Sequence, residues 1–263
     1  ICAGVLGGLG YYVLGGYASE VSSIHKEADS LVRNSTEETF RRYRTSVVYA
    51  ADGSVISKLN DQGASYYLKR DEIPQSVIDA VVCMEDQRFY QHRGVDFRAL
   101  VRAAKSLIEN RKITQGGSTI TMQLARNVFL TQEKTWQRKV EEIFIAQNLE
   151  KKYTKDQILE FYLNNIYYGN GYYGIGAAGR GYFDSGVDEL DLSQIAFLCA
   201  IPNNPTVYDP VTHMDHAIER RDRILGKMRD DGKITQMAYA AAVVENITLK
   251  RPEAMEKNNY VET

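Results

Sequence analysis

The sequence predicts a mainly α-helical protein with one short β-hairpin near its start and an uncharged helix at its N-terminus. Three observations carry this. Apolar residues recur at helical spacing through most of the chain after Pro74, helix-start signals precede several of those stretches, and strand-like alternation occurs once, around Asp52-Gly53. With 44% hydrophobic residues among 263 and a formal net charge of -2, the chain can bury a sizeable core, as one large domain or one domain plus a small lobe. The near balance of charge gives no reason to expect a nucleic-acid partner, so basic residues matter here through local clustering.

Taken in order, residues 1–18 contain no charged side chain. As a helix they would extend roughly 27 Å, close to the hydrocarbon thickness of a bilayer. The chain opens without Met or a basic flank, so this stretch reads as a transmembrane signal anchor truncated at its start. A cleaved signal peptide is the alternative, because Gly16-Tyr17-Ala18 has small-x-small form. Residues 19–44 read as a polar connecting helix or linker, and Ser46 to Ser57 as two short strands around the Asp-Gly turn.

Helices follow. Val77, Val81 and Glu85 share one face of a helix opened by Pro74, and Phe97, Leu100, Val101, Ala104 and Leu107 give Asp96 to Asn110 the same spacing. Trp136 to Lys152 is a further helix. Thr154-Lys-Asp-Gln157 has the form of a capping box opening a helix to about Ile166. Asp191 to Ala200 reads as a buried helix stopped by Pro202, and Asp215 to Asp230 with Thr235 to Val244 as a helical hairpin. Between them, Tyr167 to Gly176 and Ala177 to Phe183 are rich in glycine and aromatics. They read either as turns packing tyrosines against the fold or as a groove where flat rings stack on sugars. Cys2, Cys83 and Cys199 sit in apolar surroundings with no Cys-x-x-Cys spacing, which points to small core residues rather than a metal site or disulfide framework. Residues 251–263 form a tail or linker.

The chemistry concentrates in two stretches. Glu85-Asp86 ends an apolar helix, where desolvation and the negative end of the helix dipole both disfavour a charged carboxylate, as suits a proton acceptor working near neutrality. The plain alternative is a helix cap or a pairing with Arg88, Arg93 or Arg98. Gln115 to Thr121 contains a Gly-Gly turn followed by hydroxyls. Such a turn presents backbone N–H groups to an anion, or serves as a helix N-cap, and the two roles are compatible. It lacks the Gly-Lys-Ser/Thr ending of a nucleotide-binding loop. Arg126, Lys134, Arg138 and Lys139 cluster nearby, and Arg138 stands four residues before Glu142 on one helix. That pair either grips phosphate, with Glu142 orienting the arginine or sharing a divalent cation, or is an ordinary exposed helix pair.

Five segments occur in order: Glu85-Asp-x-x-Phe89-x-x-His92-x-Gly94; Gly116-Gly-Ser-Thr-Ile-Thr-x-Gln123; Arg138-Lys139-x-x-Glu142; Lys155-x-x-Ile-Leu-x-x-Tyr162-Leu-Asn164; and Arg220-Arg-x-x-Ile-Leu225. They closely resemble the motifs of the peptidoglycan glycosyltransferases (glycosyltransferase family 51), the module of class A penicillin-binding proteins and of monofunctional peptidoglycan transglycosylases. The resemblance covers roughly residues 45 to 245, and a catalytic domain over 45–250 is expected. Met122 stands where the family usually repeats glutamine and Arg126 where it often has lysine.

The resemblance implies a lysozyme-like helical fold with a small jaw lobe. It implies polymerisation of lipid II into β-1,4 glycan strands by inverting transfer, with undecaprenyl pyrophosphate released, on the outer face of the bacterial cytoplasmic membrane. Lipid II and the lipid-linked glycan chain are the implied ligands, other cell-wall synthesis and division proteins the implied partners. Glu85 and Glu142 are implied as catalytic. Asp86, Gly117, Ser118, Thr119, Gln123, Arg126, Lys134, Arg138 and Lys139 are implied as substrate contacts, and Phe89, His92 and Asn164 as structural parts of the motifs. No cofactor is obligatory, with Mg or Mn near Glu142 the one candidate. The apolar faces of Asp96 to Ile108 and of Val128-Phe129-Leu130 are candidates for meeting the bilayer interface. A lysozyme-like glycan hydrolase or lytic enzyme would share the catalytic glutamate without needing a phosphate-binding cluster, and an inactive scaffold module would lack the acidic pair.

Overall fold

A computed structural model describes residues 2–41, 46–49, 55–59, 66–102, 117–131, 133 and 135–250. It is mainly helical: α1 (Cys2–Asn34), α2 (Gln75–Glu85), α3 (Ile120–Phe129), α4 (Trp136–Lys152), α5 (Lys155–Asn165), α6 (Ile175–Phe183), α7 (Leu192–Ala200), α8 (Met214–Asp230) and α9 (Gln236–Val244), with short 3-10 turns between some of them. Residues 97–102 are also helical, and the continuation expected to Asn110 lies outside the described residues. Two strands, β1 (Ser46–Tyr49) and β2 (Val55–Leu59), pair antiparallel with Ser46 opposite Leu59. The Asp52-Gly53 turn expected between them and the tail 251–263 also lie outside the described residues.

A membrane-spanning helix is expected over 1–18, and the structure bears on it in one respect only. Among the described residues no helix is long and apolar enough to cross a membrane. The six glycines and three tyrosines within 1–18 dilute its apolar character. The same helix runs on without a break through the polar residues to Asn34.

The chain divides into two compact units, Ile1–Thr39 with Arg88–Ile158, and Phe40–Gln87 with Leu159–Thr263. In the first, α1 lies along α4, with the Tyr17 and Trp136 rings edge to face at 5.7 Å and those of His25 and Phe144 at 4.8 Å. Lys152 Nζ donates to the carbonyls of Val32 and Arg33 at 2.9 Å each, closing the end of α1 where helix carbonyls lack partners. Val95, Met122 and Ala146 form a buried cluster. Gly94 enters it at φ +89°, and a Cβ there would lie 2.6 Å from the Ala146 carbonyl oxygen, so only glycine fits the approach. Val128 is buried at 2% exposure, whereas Phe97 and Val101 are 65% and 68% exposed. The exposed apolar side chains are therefore on residues 97–102, while Phe129 and Leu130 are half-buried.

In the second unit α2, α7 and α8 pack against one another, burying Val77, Ile78 and Val81 with Phe197, Leu198, Ile224 and Leu225. Cys83 and Cys199 are free, buried thiols. Burial, and after it the charge of Glu85, pushes Cys199 up to about 12, leaving a neutral core thiol. The capping box expected at the start of α5 is formed: Thr154 N–H donates to Gln157 Oε1 at 3.0 Å and Gln157 N–H to Thr154 Oγ1 at 3.2 Å. Asp191 and Gln194 form the same box on α7.

The sequence does not predict α6, whose Gly176, Gly179 and Gly181 argue against a helix. Tertiary approach explains them. A Cβ on Gly176 would lie 2.3 Å from the Tyr66 carbonyl oxygen, and one on Gly181 2.2 Å from the Tyr172 ring. Gly176→Ala therefore tests packing against propensity: the helix gains about 1 kcal/mol from losing a glycine, while overpacking costs about 1–3 kcal/mol. With rigid backbone as the obstacle, overpacking wins, and denaturant unfolding is expected to show a net loss of stability. A variant more stable than the parent would contradict the close approach.

Candidate functional site

Each unit carries part of the expected constellation. In the second unit, Glu85 is the last residue of α2, and Asp86 follows as its C-cap, 7% exposed. Glu85 is not a lone carboxylate on an apolar stripe. Arg220 Nη2, from α8, donates to Glu85 Oε1 at 3.0 Å, with side-chain exposures of 7% and 12%. The Arg220 guanidinium lies over the Tyr208 ring, 5.0 Å from its centroid. Its Nε has no hydrogen-bond partner among the described residues, and leaving such a donor buried costs about 1–3 kcal/mol. Taking both charges out of water is costly too, so a buried pair of this kind is poor evidence for stability and better evidence for a task.

Arg221, its neighbour, faces elsewhere. It donates to Ser193 Oγ at 3.1 Å and to the carbonyls of Glu245 and Val243 at 2.9 and 3.0 Å, pinning the end of α9. Asn164 likewise serves the backbone. Its Nδ2 donates to the Leu68 carbonyl at 2.8 Å and its Oδ1 accepts from the Leu68 N–H at 2.9 Å.

The first unit holds the basic set on α4 and the segment before α3. Glu142 has no solvent exposure, and both its oxygens are taken: Oε1 by Lys139 Nζ at 2.6 Å, Oε2 by Arg138 Nη1 at 3.4 Å. An exposed helix pair is thereby excluded. Lys139 Nζ also donates to Ser118 Oγ at 2.8 Å. Two cations face one anion, so the cluster keeps a positive excess, and Lys139 is 37% exposed. Thr119 caps α3, accepting from the Met122 N–H at 3.1 Å while its hydroxyl donates to the Gly94 carbonyl at 2.6 Å. Gly117, Ser118, Gln123 and Arg126 are half-buried. Gln115, Gly116 and Lys134 lie outside the described residues.

The motif residues Phe89 and His92 are built into this unit. Phe89 is fully buried, and Lys155 Nζ sits 4.1 Å over its ring. Lys155 also donates to the His92 carbonyl at 2.9 Å and to Glu150 Oε1 at 2.7 Å, which Thr121 Oγ1 reaches at 2.6 Å. Lys155 and Glu150 are residues that sequence reasoning gave no role. Lys155 stood in a motif, but nothing in its spacing pointed to Phe89. Arg220 was missed as well, since adjacent arginines in sequence give no sign of which one turns to Glu85.

The described residues around Glu142 do not fit a divalent-cation site. Each carboxylate oxygen already has a cationic partner, and the described residues contain no group of three His, Cys, Asp or Glu side chains placed to hold a metal ion.

Comparison with known proteins agrees on one family. Residues 52–229 match the family model described as Transglycosylase. The chain is 40% identical over 184 residues to a protein of Cupriavidus necator named as a transglycosylase, covering 70% of this chain and 79% of that one. It is 41% identical over 207 residues to penicillin-binding protein 4 of Bacillus subtilis, and 42% identical over 200 residues to penicillin-binding protein 1A of Escherichia coli. Those matches cover 78% and 76% of this chain but 33% and 23% of the relatives, so the chain spans a third or less of their length.

Lys155 gives the sharpest test of how the first unit is held. Its ammonium joins the Phe89 ring, the His92 carbonyl and Glu150, and hydrogen bonds to charged groups contribute about 1.5–3 kcal/mol each. Lys155→Met is expected to lower unfolding free energy by about 2–3 kcal/mol in urea titration. A change under about 0.5 kcal/mol, the usual range of a surface substitution, would return Lys155 to the solvated surface.

Proposed function

The chain belongs to the transglycosylase family, and on that footing we propose that it polymerises lipid II into β-1,4 glycan strands and releases undecaprenyl pyrophosphate. The supporting observation is the buried Glu142 with Arg138 and Lys139 around it, linked through Lys139 to Ser118. A glycan hydrolase has no pyrophosphate to bind and no use for such a cluster. An inactive scaffold has no use for Glu85 and Asp86 at a helix end.

The proposed reaction is a single displacement. The acceptor sugar's 4-hydroxyl oxygen attacks the donor's anomeric carbon, the bond to pyrophosphate breaks, and its electron pair leaves with the phosphate oxygen. Glu85 takes the hydroxyl proton. Pyrophosphate is a weak base and needs positive charge rather than a strong acid, which Arg138 and Lys139 supply, joined by Arg126 and Lys134. Glu142 fixes the two cations on α4. Asp86, Gly117 and Gln123 are proposed to hydrogen-bond the substrate, while Thr119, buried with its hydroxyl engaged by Gly94 and Met122, holds the start of α3 instead. A lysozyme-like arrangement with a jaw lobe, a catalytic domain over 45–250, and work at the outer face of the cytoplasmic membrane alongside other wall-synthesis proteins belong to the same proposal.

The carboxylate and the leaving-group cluster are tested separately. Glu85→Gln, which removes only the ability to accept a proton, is expected to abolish polymerisation while lipid II binding and the folded state persist. Polymer formation within about tenfold of wild type, about 1.4 kcal/mol of barrier, would remove Glu85 as the base. Arg138→Ala is expected to lower the rate by about 100-fold or more, about 2.7 kcal/mol. Arg138→Lys should restore it only in part, since the planar two-pronged donor is lost. Equal rates for all three forms of residue 138 would return it to a structural pair with Glu142.

A substrate with a polyprenyl tail stays in the bilayer, so the protein must meet the interface. Phe97 and Val101 are exposed on residues 97–102 with Arg98 and Arg102, a combination suited to anionic headgroups. After deletion of residues 1–18 the protein is expected to sediment with anionic liposomes and still polymerise lipid II, and Phe97→Glu with Val101→Glu to release it. Liposome binding unchanged by the two glutamates would place the membrane contact elsewhere.

A further inference from the structure

We propose that Arg220 is a positioning residue for Glu85, holding the carboxylate in the orientation from which it takes the acceptor's proton. The proposal rests on the reading of Glu85 as the base and adds what keeps that base aimed. A general base must hold one oxygen within hydrogen-bond reach of the hydroxyl, yet Glu85 ends its helix, where the backbone continues without helical restraint. The 3.0 Å bond from Arg220 Nη2 to Oε1 ties down one oxygen and selects a side-chain orientation that the helix end does not. Arg220 is itself fixed. It is 6% exposed, stands on α8, and its guanidinium lies over the Tyr208 ring, 5.0 Å from the centroid.

Arg220 also differs from a residue that merely fills the core. Arg221 divides its donors among Ser193, two backbone carbonyls and the part-exposed carboxylate of its neighbour Asp222, and so ties together local structure. Arg220 leaves Nε without a partner among the described residues and directs its hydrogen bond to Glu85. Lysine lacks the planar donor set and the delocalised guanidinium that sits over Tyr208, so it is expected to replace Arg220 only in part.

The test measures kcat and KM for lipid II polymerisation in wild type, Glu85→Gln, Arg220→Met, Arg220→Lys and Arg220→Ala, with thermal unfolding of each. Arg220→Met is expected to lower kcat by about 100-fold with KM within about threefold, because binding is left in place and the base is not. Arg220→Lys, which keeps the buried charge balance and covers the case in which the Met variant fails to fold, should lose about tenfold in kcat. Added guanidinium ion should raise the rate of Arg220→Ala by refilling the site beside Glu85. A folded Arg220→Met with wild-type kcat, a Lys variant indistinguishable from wild type, losses confined to KM, or an Ala variant that guanidinium leaves unchanged would each overturn the proposal. Wild type that forms no polymer would instead fail the functional reading itself, and inactive Glu85→Gln beside a fully active Arg220→Met would leave that reading intact and remove Arg220 alone.

Discussion

A carboxylate with no solvent exposure has to be neutralised where it stands, and the compensation of Glu142 by Arg138 and Lys139 sets much of what the first unit can do. Uncompensated, the buried charge would cost several kcal/mol. Compensated twice, it leaves a surplus of positive charge held on one helix face, with Lys139 reaching on to Ser118. The helix bearing the cluster is itself held along its length by α1 and capped into it by Lys152. Cations fixed by a buried anion lose little freedom when an anionic group arrives, which is the condition for binding charge that develops during a reaction.

The second unit repeats the device with the signs exchanged. Here the residue proposed to react is the anion, Glu85, and the buried cation Arg220 is the support. Both arrangements spend stability on holding a charge in place. Both also stand on helices whose packing is otherwise ordinary: α2 and α8 bury aliphatic faces against α7, and their polar residues are the exceptions that packing alone does not explain.

What was legible in the sequence is what depends on neighbours in sequence. The box at Thr154 is local, as is the helix of Val77, Val81 and Glu85, and spacing alone located them. α6 was not legible, because its glycines answer to Tyr66 and Tyr172, contacts that no local pattern encodes. The burial of Glu142 was hidden for a similar reason, since an i, i+4 pair with Arg138 reads equally well as a solvated surface. The different fates of Arg220 and Arg221 depend on which side of α8 meets α2 and which meets α9.

The most direct measurement is incubation of the purified protein with lipid II, followed by separation of products and assignment of the new glycosidic bond. The account predicts a glycan polymer with β-1,4 linkages and release of undecaprenyl pyrophosphate in step with each bond formed. Soluble cleaved glycan, released from pre-formed strands while lipid II is left unchanged, would contradict it.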